Sequence, residues 1–202
     1  MAVKDHSLDN KIVKAAKEEF LALGYEKASL HKIAEKAGIT TGALYTRYKG
    51  KDDLFCSLVK DSMSTIALNA EPVGQMYEEA RKTGSAEKIL DAIKAEERIY
   101  IDLLFEHYEE CVLFFCKSRG SSIEIFLDRM MKEKSKTTVE FLKTIAKRDI
   151  DFDGIEMIMA EQFQYYRHVL EKNYSKEKAV SCMKTVEFFL EAGWKAIFEM
   201  IL

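Results

Sequence analysis

Apolar residues recur along this chain at three- and four-residue spacing, and almost nowhere in strict alternation, so the pattern predicts helices throughout. Ile12, Ala16, Phe20 and Leu23 form one stripe and predict a helix over about 9–24. Leu30, Ile33, Ala34 and Ala37 form the next, with Ser29 placed to cap its first turn and Gly38 to close it in a left-handed conformation. Ile39 follows as a hydrophobic plug. Thr40 or Thr41 can then cap a short helix over about 42–48, and Asp52 and Asp53 suit the start of another over about 51–69. Residues 70–84 hold Pro72, the only proline, with two glycines, and predict a connection between domains. Further helices are expected at about 85–105, 107–117, 122–148, 154–172 and 176–201, with SRGSS, DFDG and KNYS as breaks.

The segment 29–55, SLHKIAEKAGITTGALYTRYKGKDDLF, carries the most chemistry. Two short helices joined by a tight Gly-containing turn make a helix-turn-helix, whose second helix enters the major groove while flanking groups hold phosphates. That second helix is small, polar and aromatic, too poor in large apolar residues for a core helix. Thr40 and Thr41 stand at its start, where hydroxyls and backbone N–H groups can meet a phosphate. Tyr48 reads as a core aromatic, and Lys32, Lys36 and Lys49 read as solvated charges.

Residues 9–58 resemble the DNA-binding domain of the TetR/AcrR family of transcriptional repressors. The matching stretches are IVKAAKEEFLALGYEKASL and IAEKAGITTGALYTRYKGKDDLF. Tyr48 stands where that family usually has Phe, and Ala28 and Ser29 where it often has two Thr. The resemblance implies that Thr41, Ala43 and Thr46 face the bases and that Tyr45, Arg47 and Lys51 contact phosphate. Thr and Ala methyl groups suit the thymine methyl, so readout would lean on methyl contacts and DNA shape. It also implies an all-α chain with an N-terminal three-helix helix-turn-helix domain, residues 1–50, and a helical ligand-binding and dimerisation domain, residues 51–202, joined by a linking helix over 51–69. The implied partners are a pseudo-palindromic double-stranded DNA operator, a second copy of the chain and a small-molecule effector. In a two-fold dimer the recognition helices lie roughly 34–36 Å apart.

For that dimer the last two helices offer Ile155, Met159, Gln162 and Tyr166 on one, and Val186, Leu190, Gly193 and Ile197 on the other. Packed against their symmetry mates they would form a four-helix bundle, as in the family. The aromatic-rich middle of the chain suits a pocket, or equally an ordinary helical core. Its lining candidates are Tyr100, Leu104, Tyr108, Cys111, Phe115, Phe126, Met130, Phe163 and Tyr166. Aromatic faces on an acidic body favour an apolar or cationic ligand.

Composition narrows the alternatives. Residues 1–60 carry a surplus of +3 and residues 61–202 a surplus of −6, which fits a head that presents itself to phosphate. The first residues hold no apolar leader run, and no window reaches membrane-spanning length. The four cysteines, Cys56, Cys111, Cys116 and Cys182, lack close-paired spacing, so a cytoplasmic protein is expected. His107 and Cys111 stand four apart with Cys116 near, but a lone His with scattered Cys is usually structural, and no metal or cofactor is expected. No phosphate-cradling loop or nucleophile motif appears, so no enzyme is expected. The expected function is a ligand-responsive repressor. The alternative is a small-molecule binding or interaction protein that keeps the head as a scaffold.

Overall fold

The computed structural model describes residues 6–148 and 150–202, apart from the side chains of His6, Ser7 and Phe163. Every regular element among the described residues is a helix, as the periodicity predicts. In chain order they are α1 (His6–Lys27), α2 (Leu30–Ala37), α3 (Thr41–Tyr45), α4 (Lys51–Asn69), α5 (Glu71–Thr83), α6 (Ala86–Glu106), α7 (Tyr108–Cys116), α8 (Ser122–Ile145), α9 (Asp153–Glu171) and α10 (Lys176–Ile201).

Two expectations about elements change. Residues 70–84 are a helix and not a connection, because their breakers sit where helices tolerate them. Pro72 lies in the first turn of α5, where a missing N–H costs nothing, and Gly84 closes its end at φ 60°. α1 breaks where its first stripe is expected to end, and a further turn follows the break. At Gly24 (φ 74°, ψ 166°) the backbone leaves the helix, and Ala28 N–H reaches back to the Gly24 carbonyl at 3.1 Å. Leu23, expected in the buried stripe, is 43% exposed. Ile12, Ala15, Ala16, Glu19 and Phe20 make the covered face, and the break at Gly24 turns the chain before another turn can extend it.

The chain forms two compact units: residues up to Ser64 with Tyr108–Leu127, and Thr65–His107 with Asp128–Leu202. In the first, Phe20 and Phe55 meet edge to face at 4.9 Å between ring centres, and Tyr25 packs on Phe55 at 5.2 Å. Ile12, Ile33, Leu44 and Leu54 complete this core. The 108–127 segment is stitched to it by polar bonds. Tyr25 N–H donates to the Lys117 carbonyl at 2.8 Å, Ser122 N–H donates to Asp52 at 2.9 Å, and Lys17 pairs with Glu109 and Glu110. In the second unit α5, α6, α8, α9 and α10 surround a core that includes Ala80, Ile89, Leu142, Trp194, Phe198 and Ile201.

α1 holds α2 through one buried acid. Glu19 is 3% exposed; it accepts the Lys36 ammonium at 2.8 Å and the Ser29 N–H at 3.4 Å. Lys36 is therefore a partner and not a solvated charge, and the Ser29 hydroxyl makes no cap bond. The Lys36 hydrogen bond, against the opposing effect of burial, holds the Glu19 carboxyl below its usual range.

Gly24→Ala forces a side chain into a backbone region that is essentially glycine's own, although its Cβ would meet only ordinary contacts at 3.8 Å or more. Urea denaturation should show a loss of about 1–3 kcal/mol. An unchanged midpoint would mean that the α1 break is not held. Glu19→Gln should cost roughly 1 kcal/mol at neutral pH, since Lys36 is half exposed. A carboxyl whose pKa falls on folding stabilises above its unfolded value of about 4.3 and loses that contribution as pH drops through the lower folded value. The gap between wild type and variant should therefore close in acid, read as converging denaturation midpoints.

Candidate functional site

The α2–α3 turn is built by local backbone chemistry. Gly38 sits in the left-handed region (φ 71°, ψ 33°), and its N–H and that of Ile39 return to the carbonyls of Glu35 and Ala34, both at 3.0 Å. Thr40 is extended, and its hydroxyl oxygen accepts the Ala43 N–H at 3.1 Å, which fixes the start of α3. Leu44 is the only buried residue of α3, at 1% exposure. One inward side chain on so short a helix sends the others outward.

Tyr45 is 55% exposed, and Thr46 and Thr40 are exposed as well. Thr41 and Ala43 are half-buried. The Thr46 hydroxyl donates to the Ala43 carbonyl at 2.7 Å, which leaves its methyl and its lone pairs to face out. Arg47 is held in place: its Nε donates to Asp9 at 2.9 Å, and a terminal nitrogen lies 3.5 Å from the Ala43 carbonyl. Lys51 donates to the Glu26 carbonyl at 3.0 Å, with its ammonium 4.7 Å from the Tyr25 ring centre. Burial pulls its pKa down. The seven residues singled out in the sequence thus lie on one short segment, with Tyr45, Thr40 and Thr46 the most exposed. Asp9, which orients Arg47, had no local signal, because its partner is 38 residues away.

The pocket candidates do not gather in one place. Tyr108, Cys111, Phe115 and Phe126 belong to the first unit, where Cys111 is fully buried, its thiol pushed up to about 12 chiefly by burial, and Phe126 is 51% exposed. Tyr100, Leu104, Met130 and Tyr166 belong to the second, and the side chain of Phe163 lies outside the described residues. Only Tyr100 and Tyr166 among them line a cavity of about 30 Å³ there, together with Glu96, Glu97, Lys134, Gln162 and Tyr165. Their rings meet edge to face at 6.0 Å. No described group of three or more His, Cys, Asp or Glu could hold a metal ion.

The dimer candidates divide too. Ile155, Met159, Tyr166 and Leu190 are buried within the chain itself, so they serve its own core and are not available to a partner. Gln162, Val186 and Ile197 are half-buried, and Gly193 is exposed, where an added Cβ would meet nothing within 4 Å. The exposed apolar residues of α9 and α10 are instead Met157, Ile158, Phe188, Phe189 and Met200.

Residues 12–58 match the family model for bacterial regulatory proteins of the tetR family. The chain is 25% identical over 114 residues to the fatty acid metabolism regulator protein of Bacillus subtilis, a match covering 56% of this chain and 54% of that one. The matched stretch thus spans about half the length of that relative. Among solved structures, a TetR-like transcriptional regulator from Rhodococcus sp. RHA1 shares the fold at TM-score 0.58 and 17% identity, over 95% of this chain and 99% of that one. The fatty acid degradation regulator FadR from Bacillus halodurans does so at TM-score 0.55 and 18% identity, over 91% and 98%. Residues 12–58 thus carry the helix-turn-helix head that the tetR family model describes, and nearly the whole chain shares its fold with TetR-like regulators.

Proposed function

We propose that this protein is a ligand-responsive transcriptional regulator of the cytoplasm, a repressor that binds a pseudo-palindromic operator as a homodimer and is released by a small-molecule effector. One observation carries the reading: α3 keeps a single residue, Leu44, for the core and turns Tyr45, Thr46 and the Thr40 cap to solvent within the family's DNA-binding segment. Such a helix has surface to offer a groove and almost none to offer a core. Tyr45 and Lys51 supply phosphate contacts, Arg47 does so from the orientation Asp9 gives it, and Thr41, Ala43 and Thr46 present methyl groups and hydroxyls to base edges.

The homodimer is supported by the outer face of α10. Phe189, Gly193, Ala196 and Met200 recur at helical spacing and are exposed, beside Phe188 at 76% exposure. On α9 Met157 and Ile158 are exposed as well. Apolar residues so grouped fit an isologous helix pair, and Gly193 and Ala196 permit close approach. This retains Gly193 from the stripe that the sequence pattern offers and leaves out its buried members, Ile155, Met159, Tyr166 and Leu190. Release follows if an effector prefers the conformation in which two heads no longer match successive major grooves, since only differential affinity moves an equilibrium. The names of the relatives suggest a fatty-acid-derived effector; the cavity in this chain carries different chemistry.

Two measurements test the reading. On a fragment selected from genomic DNA by the purified protein, Tyr45→Ala and Lys51→Ala should each weaken binding about tenfold at fixed salt, and Lys51→Ala should lower the salt slope by about 1 per head. Unaltered affinity in both variants would remove α3 from the interface. Phe189→Glu should shift sedimentation from dimer to monomer and lose tight operator binding with it; a variant that stays dimeric would place the interface elsewhere.

A further inference from the structure

The cavity of the second unit is lined by charge that its own residues only half compensate. Glu96 is fully engaged: its carboxylate accepts the Tyr77 hydroxyl at 2.7 Å and pairs with the Lys134 ammonium. Its neighbour Glu97 is not. The Glu97 Oε2 atom is buried and has no hydrogen-bond partner among the described residues. Burial, with Glu187 and Glu96 adding like charge, pushes its carboxyl up to about 7. Two carboxylates, Glu96 and Glu97, therefore share the cavity wall with one ammonium, that of Lys134. The remaining wall is aromatic and amide: Tyr100, Tyr165, Tyr166 and Gln162. The Lys134 ammonium already lies 6.0 Å from the Tyr100 ring centre, so a cation against an aromatic face is part of the site as built.

A buried carboxylate oxygen without a partner costs stability unless something supplies the missing charge. The volume, about 30 Å³, admits two waters or the head of a small amine, and Ile93, Met183 and Leu190 line it with apolar surface. An anionic acyl ligand would bring like charge to Glu97. A neutral apolar ligand would leave its oxygen unsatisfied.

We propose that this cavity binds the head of an organic cation, a protonated primary amine whose apolar body extends from it, with Glu97 as its counter-charge and the Tyr100, Tyr165 and Tyr166 rings as its walls. The inference rests on the effector reading above and names the chemical class of that effector. The cation stabilises ionised Glu97, so binding expels the proton that Glu97 otherwise carries. Of the groups near it, Tyr100 and Tyr166 are pushed up by burial and do not ionise near neutrality, Glu96 is tied to Lys134 and Tyr77, and Glu187 contributes repulsion that Lys94 partly offsets.

The test uses the full chain and hexylammonium, whose charge is constant from about pH 6 to 8, with hexanoate and 1-hexanol as the anionic and neutral probes. Calorimetry should show the cation binding and the other two binding at least about tenfold more weakly. Titrations in buffers of different ionisation enthalpy should show proton release that grows as pH falls, with affinity lower in acid and levelling once Glu97 is ionised. Glu97→Gln should weaken the cation about tenfold and abolish the proton release. Should that variant fail to fold, the proton release of the wild type decides alone. Hexanoate bound as well as the cation, no binding of the cation, or cation binding without proton release would each overturn the proposal. A mobility shift separates this outcome from the fate of the regulator reading. An operator complex dissolved by hexanoate and not by the ammonium ion keeps the regulator and sinks the cation. A protein that binds the cation and no DNA does the reverse.

Discussion

The head depends on how a helix too short to stand alone is kept in place. α3 has five residues, well below the length at which a helix persists in water. Ordering five residues costs roughly 5–10 kcal/mol of backbone entropy, whereas burying Leu44 returns about 1.5–3 and a good cap about 1. The deficit has to be met at the flanks. Gly38 fixes the chain before α3, and Arg47 N–H and Tyr48 N–H both return to the Leu44 carbonyl after it, at 3.0 Å. Beyond them Lys49 N–H donates to Asp53 at 2.8 Å, at the start of α4. α3 is a loop clamped into a helical turn by its neighbours, and that is why its outward residues are left for something other than packing.

Where the sequence was legible, the signal was local. Gly38, Thr40 and the Asp52–Asp53 pair act through backbone groups a few residues away, so their positions alone predict the turn, the cap and the next helix. Breakers were ambiguous for the same reason. Pro72 and Gly84 are compatible with a connection or with the two ends of a helix, and what decides is the packing of Ala80 in the core with Ile89 and the Tyr77–Glu96 bond, both of which require α6. Glu19 and Lys36 show the other limit. An acid within an apolar stripe has meaning only once α2 has been laid across it.

The apolar stripes of α9 and α10 were visible but their assignment was not. Both helices carry apolar residues on more than one side, and periodicity does not say which side meets the chain's own core. Ile155, Met159 and Leu190 went to the core because α5, α6 and α8 cover them. The cavity was misdirected by composition. The aromatic-rich middle of the chain contributes Tyr100, but the chemistry of the site lies in Glu96 and Glu97. On a helix surface, charged pairs are usually solvated, and nothing short of the packing of α8, α9 and α10 shows that this one is covered.

The same pair bears on how an effector could act at a distance. Moving a two-state protein from 1:99 to 99:1 requires a ligand that prefers one state by about 5.5 kcal/mol. Apolar contacts that survive in both states contribute nothing to that difference. A buried carboxylate does contribute, because pairing it is worth several kcal/mol where the partner is enclosed and little where water reaches it. Glu97 lies on α6, and the chain continues from α6 through the break at His107 (φ −117°, ψ 43°) into α7. α7 and the turn after it are bonded to α1 and α4 within the head's own unit, through Lys117, Ser122 and the Lys17 pairs. The helix that carries Glu97 is thus continuous in sequence with an element fastened to the helices that clamp α3.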